Sequence, residues 1–149
     1  MSIDRREAIH EAAGIVAVDI DARSKRGAVH RATALEAKLD HLVYATPDLA
    51  DTVARIRDEW GITPTPGGSH DGMGTANALL AIGNGAYLEI IGPDPSQPDH
   101  VGPRPFGVDD VTEPRLITWA AAVPDLDLWL AWCTARKLDP GPAFTMQRT

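Results

Sequence analysis

Between residues 39 and 94 the apolar positions repeat with two distinct periods. In LDHLVYAT (39–46), Leu39, His41, Val43 and Ala45 share one face while Asp40, Leu42 and Tyr44 share the other. That period of two predicts a strand. In PDLADTVARIRDEW (47–60) the spacing lengthens, and Leu49, Val53, Ile56 and Trp60 recur at steps of four, three and four. This is one stripe of an amphipathic helix. Thr46 is expected to cap it, Pro47 to fill its first position and Gly61 to end it. ITPTP and a glycine-rich loop, GGSHDGMGT (67–75), follow. Two alternating runs, ANALLAIG and AYLEIIG, then flank Asn84-Gly85. An Asn-Gly pair in that setting predicts a type I′ hairpin, whose two central residues need positive φ. The order reads β-α-β-β-β.

The flanking segments read differently. Residues 1–38 are expected to be an N-terminal arm or linker, poorly ordered or partly helical. IDRREAIHEAA suggests a short helix and IVAVDID a strand, too little to bury a core alone. Residues 95–114 are Pro-rich and form a connection. After it, RLITWAAAV predicts a strand and PDLDLWLAWCTARK a helix.

That second strand–helix pair copies the first. The tripeptide PDL at 47–49 recurs at 124–126, an offset of 77. The same offset carries Leu49 to Leu126, Val53 to Leu130 and Ile56 to Cys133. The copy is incomplete. Only twelve residues follow Lys137, enough for one strand, so the second unit (115–149) is expected to be truncated near its second strand. The sheet edge this would leave is a template for pairing with another chain, and a homodimer follows as an expectation.

Composition narrows the function classes. The 149 residues are 44 % hydrophobic and 23 % charged, with 14 Lys+Arg against 21 Asp+Glu and a net charge of −7. Such a balance argues against a nucleic-acid partner, which needs a basic face. No apolar run is long enough to span a bilayer, so no membrane partner is expected. The single cysteine, Cys133, permits no intrachain disulfide and points to a reducing, cytoplasmic setting. The glycine loop lacks the GK[ST] of a phosphate-binding P-loop, so no nucleotide cofactor is expected. Arg outnumbers Lys eleven to three, as in GC-rich bacterial genomes.

Tandem β-α-β-β-β units, together with LDHLVYATPDL, GGSHDGMGTANALLAIGNGAYLEIIGPDP, RPFG and EPRLITWAA, resemble the glyoxalase-like branch of the vicinal oxygen chelate superfamily. The resemblance covers residues 39–149, with the first unit at 39–94. It implies an α+β fold in which tandem βαβββ units form a half-open, cup-shaped sheet around a small-molecule site. It further implies metal-assisted isomerase, lyase or dioxygenase chemistry on a small carbonyl or oxygenated substrate, or binding without reaction.

In that superfamily ligands come from the first and last strands of each unit. His41 and Glu89 match those positions as metal ligands, with Glu89 also the catalytic candidate. Imidazole plus carboxylate suits Zn, Ni, Mn, Co or Fe(II). The offset of 77 places Thr118, a poor ligand, opposite His41. His70 in the glycine loop and Asn77 on the following strand are the substrate-binding candidates. Each residue also has a plainer reading, as a hydrogen-bonded core or loop side chain. Three functions therefore stay open: a metal-dependent enzyme, a metal-free small-molecule binding protein, and a truncated, non-catalytic interaction protein. Trp129 and Trp132 read as helix positions packed on the sheet, Cys133 as a buried inert thiol, and His100 as solvent-facing.

Overall fold

The computed structural model describes residues 3–10, 15–19, 37–139 and 143–148. The chain forms two compact units, one built around His41–Thr118 and the other around Met1–Asp40 with Trp119–Gln147.

The first unit follows the expected order. Strand β3 (Lys38–Ala45) leads into helix α1 (Leu49–Trp60), then β4 (Thr65–His70), β5 (Thr75–Gly83) and β6 (Ala86–Pro93). In the sheet these strands lie in the order β4-β5-β6-β3. The first and last strands of the unit in chain order, β3 and β6, pair in parallel, with His41 opposite Tyr87 and Val43 opposite Glu89. Strands β5 and β6 form the predicted hairpin, and Asn84 and Gly85 both take positive φ, at 53° and 80°.

Period two sorts the two faces. Leu42, Tyr44, Leu80, Leu88 and Ile90 pack with Ile56 and Leu49 of α1. On the opposite face Val43, Ala45 and Ile91 pack with Val108, Val111 and Phe106, which come from a kinked 3₁₀ segment (Pro105–Asp110) and its exit.

Three local expectations are corrected. The helix cap is Asp48, whose carboxylate accepts from the Asp51 N–H; Thr46 is buried instead and hydrogen-bonds Thr52. The helix buries Ile56 and packs Leu49 of the expected stripe, with Thr52 buried beside them, but Trp60 at its end is 55 % exposed. Residues 67–70 are strand, not loop, since the pairing of β4 with β5 overrides the poor strand propensity of Pro66-Gly67-Gly68.

The second unit holds the larger surprise. Strand β7 (Arg115–Val123) and helix α2 (Leu126–Ala135) repeat β3 and α1 at the offset of 77. Even the cap repeats, with Asp125 accepting from the Leu128 N–H as Asp48 does from Asp51. Strand β8 (Ala143–Arg148) follows. The remaining two places are taken by N-terminal strands β1 (Ile3–His10) and β2 (Ile15–Asp19), in the order β7-β2-β1-β8. β2 runs parallel to β7 as β6 does to β3, and β1 is antiparallel to β2 as β5 is to β6. The unit is thus a βαβββ set whose last two strands come from the start of the chain.

Residues 3–10 are therefore strand and not helix, because tertiary pairing outweighs a weak local helical pattern. The same finding removes the open-edge argument for a homodimer at β7, where β2 now sits. The expectation of a linker over 20–36 lies outside the described residues. Trp129 packs with Val123 and Leu126 as expected, and the Arg136 guanidinium covers the Trp132 ring at 4.1 Å. Cys133 is buried, and burial pushes its thiol pKa up, as befits an inert side chain.

Candidate functional site

Four residues singled out from sequence, His41, His70, Asn77 and Glu89, converge on one face of the first unit, and all are buried. The convergence follows from register. His41 and Glu89 are diagonal neighbours across the parallel β3–β6 pair, and both share the face of Val43 and Ile91. Asn77 on β5 lies opposite Ile91, one diagonal step from Glu89. His70 ends β4 opposite Thr75, the first residue of β5.

Glu89 is the centre. Its Oε2 lies 3.3 Å from His41 Nε2 and its Oε1 3.8 Å from His70 Nε2. The Asn77 amide donates to Oε1. The His41 ring stacks on Tyr87, with centroids 4.7 Å apart and planes 21° apart. His70 is fixed on its other side by Thr75, whose hydroxyl lies 2.9 Å from Nδ1.

Burial by itself would push the Glu89 carboxyl up. The hydrogen bond and charge of His41, then Asn77 and His70, outweigh it and hold the pKa at about 2. The side chain is therefore an ionised carboxylate in a nearly dry place. This is costly unless it is paired, and here it is paired on both oxygens.

Backbone room for this cluster comes from glycine. A Cβ at Gly67 would collide with the Asn77 side chain, so the strand glycine marks a close approach. Beyond β4, Gly72 and Gly74 turn the chain at φ 74° and 65° and deliver Thr75 back to His70. His100 does not face solvent as expected. It is half-buried, with its ring against Gly74, where a Cβ would not fit.

Sequence reasoning did not single out Thr75, Tyr87, Asp94 or Gln97. Asp94 accepts from Ser69, Ser96 and Gln97, and these bonds hold its carboxyl well below the usual carboxylate range. The only signal available was two polar residues closely following an apolar strand, a pattern shared by many loops.

The donor types near Glu89, two imidazoles and a carboxylate, are those a divalent ion takes. The arrangement fits one poorly. Glu89 Oε1 already accepts the Asn77 amide, and among the described residues no group of three or more His, Cys, Asp or Glu side chains is placed to hold an ion. The second unit does not repeat the pair at the matching positions. The counterparts of His41 and Val43 are Thr118 and Ala120, and Ala120 pairs with Val16, which thus takes the place of Glu89. Neither Thr118 nor Val16 is a useful metal ligand.

This fold and this first-to-last-strand pair define a class, the vicinal oxygen chelate proteins, whose members often use divalent metals. The chain belongs within it to the glyoxalase-like domain family, whose model matches residues 39–149. No curated protein matches. Six solved chains do. One is methylmalonyl-CoA epimerase from Mycobacterium tuberculosis, 25 % identical with a TM-score of 0.52. The match covers 66 % of this chain and 63 % of that one, so the likeness spans under two thirds of the epimerase.

Proposed function

We propose that this protein catalyses isomerase-type proton transfer next to a carbonyl group of a small molecule, with Glu89, His41 and His70 as the working set. One observation carries the proposal. A single buried carboxylate faces an imidazole with each of its two oxygens.

The pKa of the carboxylate decides its role. At about 2, Glu89 is a poor proton acceptor near neutral pH. An imidazole, with an ordinary value near 6.5, is far better matched to the task. In this reading one imidazole takes the proton from the carbon beside the carbonyl. The other donates a hydrogen bond to the oxygen on which charge develops. Glu89 stabilises whichever ring is charged, and Asn77 keeps the carboxylate oriented, so the substrate contact first expected of Asn77 becomes a positioning role. A proton delivered from the second imidazole to the opposite face of the same carbon inverts it, and the first ring keeps the proton it took. No step is assigned to a metal.

The epimerase name of the structural neighbour supports this reaction type, since an epimerase inverts one stereocentre. Lyase and dioxygenase chemistry have no such support. A second reading, a small-molecule binding protein without chemistry, is favoured by Thr118 and Val16, which leave the second unit without a matching polar pair. With the proposal go a homodimer and a cytoplasmic, bacterial setting. The lone cysteine and the excess of Arg over Lys support the setting, and the superfamily's frequent dimers support the assembly. No helix among the described residues is long and apolar enough to cross a membrane.

The test is deuterium exchange followed by NMR on a panel of small carbonyl compounds and thioesters in D2O. The enzyme reading expects catalysed exchange at the carbon beside the carbonyl. Saturable binding without exchange would favour the binding protein.

A further inference from the structure

Resting on that reading, we infer that Gln97 is a positioning residue for His70. Gln97 lies outside every strand and helix, 27 positions from His70, yet its side chain gathers the whole turn that carries the imidazole. Its Nε2 donates to the His70 carbonyl at 3.1 Å, to Ser69 Oγ at 2.9 Å and to Asp94 Oδ2 at 2.8 Å. Its Oε1 accepts from the Gly72 N–H at 2.9 Å and from the Gly74 N–H at 3.4 Å.

These bonds bracket His70 on both sides in sequence. Ser69 and the His70 carbonyl are fixed before the turn, Gly72 and Gly74 within it, and Thr75 after it meets His70 Nδ1. The glycine turn has broad freedom in the unfolded chain and few contacts of its own, so something must select one geometry for it. One amide does so. It presents a donor and an acceptor in a fixed plane, which neither a carboxylate nor a hydroxyl can offer.

The second anchor is the Asp94 N–H, which donates to the Gly74 carbonyl at 2.9 Å, with Arg104 Nε donating to the same oxygen at 2.8 Å. Gln97 therefore closes a clasp between the segment after β6, the strand of Glu89, and the turn that follows His70 at the end of β4. The 3.8 Å approach of His70 to Glu89 depends on that clasp.

The experiment uses the full-length chain with nitrogen-15-labelled histidine. The His70 ring signals are identified by their absence from a His70→Gln sample. Gln97→Ala should shift and broaden the His70 ring signals and lower kcat for exchange at least tenfold, with KM within about twofold of wild type. Gln97→Glu keeps the length and the acceptor but loses the donor, and should move the same signals; it serves if the alanine variant does not fold. Ser96→Ala removes a hydroxyl that donates to Asp94 and should leave the His70 signals in place. The inference is overturned if His70 keeps its wild-type signals in a folded Gln97 variant, or if Ser96→Ala moves them equally. A wild-type chain without exchange activity would count against the proposed function, while the ring signals would still decide the role of Gln97.

Discussion

Glu89 Oε2 lies 3.3 Å from His41 Nε2, although 48 positions separate the two residues in the chain. The contact follows from parallel pairing of the first and last strands of one unit, which places them diagonally on the same face. Glu89→Gln keeps the size of the side chain and removes the charge. It should lower catalysed exchange at least 100-fold. Leu88→Ala, one residue away on the opposite face, should instead cost about 2–4 kcal/mol of stability in urea unfolding, because Leu88 belongs to the helix-facing core.

Gly67→Ala should disturb the site from below. The added methyl group falls on the Asn77 side chain, which must leave Glu89 or push β4 aside. A loss of about 1–3 kcal/mol is expected by thermal or urea unfolding, together with a fall in exchange rate. Gly72→Ala meets no neighbouring atom and should cost only the strain of its positive φ.

Stability should fall in acid, and Asp94 should account for part of the fall. Its carboxyl is held below the ordinary unfolded value of about 3.9, chiefly by Gln97 and Ser69. A group depressed in the folded state contributes fully above its unfolded pKa and loses that contribution as pH drops toward the folded one. Asp94→Asn should therefore be less stable than wild type by about 1 kcal/mol at pH 7, with the gap narrowing steadily below about pH 4. Urea titrations at pH 7, 5 and 3 would show it. A gap that widens in acid would contradict the assignment.

The first unit was legible because its signals are local. Alternation marked β3 and β6, the i, i+3, i+4 stripe marked α1, and Asn84-Gly85 fixed the hairpin register that aligns Asn77 near Glu89. Phase then predicted that His41 and Glu89 share a face. The misses were non-local. Nothing in IDRREAIH says that it will pair with a strand adjoining β7, and nothing in PTPGGSH says that β5 will zip against it. The clasp of Asp94 and Gln97 was hidden for the same reason, since its partners lie more than twenty positions away.

The N-terminal strands provide the next prediction. Residues 1–38 read as an arm or linker from sequence, whereas β2 pairs along β7 from Ile15 opposite Trp119 to Asp19 opposite Val123. Deleting residues 1–37 should strip that pairing and leave an exposed strand edge. The truncated chain should aggregate, or lose at least 10 °C in thermal midpoint by circular dichroism. A truncated chain that melts like the full one would show that β1 and β2 add nothing to the second unit.

The role of the carboxylate that bridges two imidazoles is measured by comparing wild type with Glu89→Gln for proton exchange beside a substrate carbonyl in D2O. Wild type should show saturable exchange and the variant at least a 100-fold loss, with a circular dichroism spectrum showing that the variant is folded. Exchange that survives undiminished in a folded Glu89→Gln protein would contradict that role.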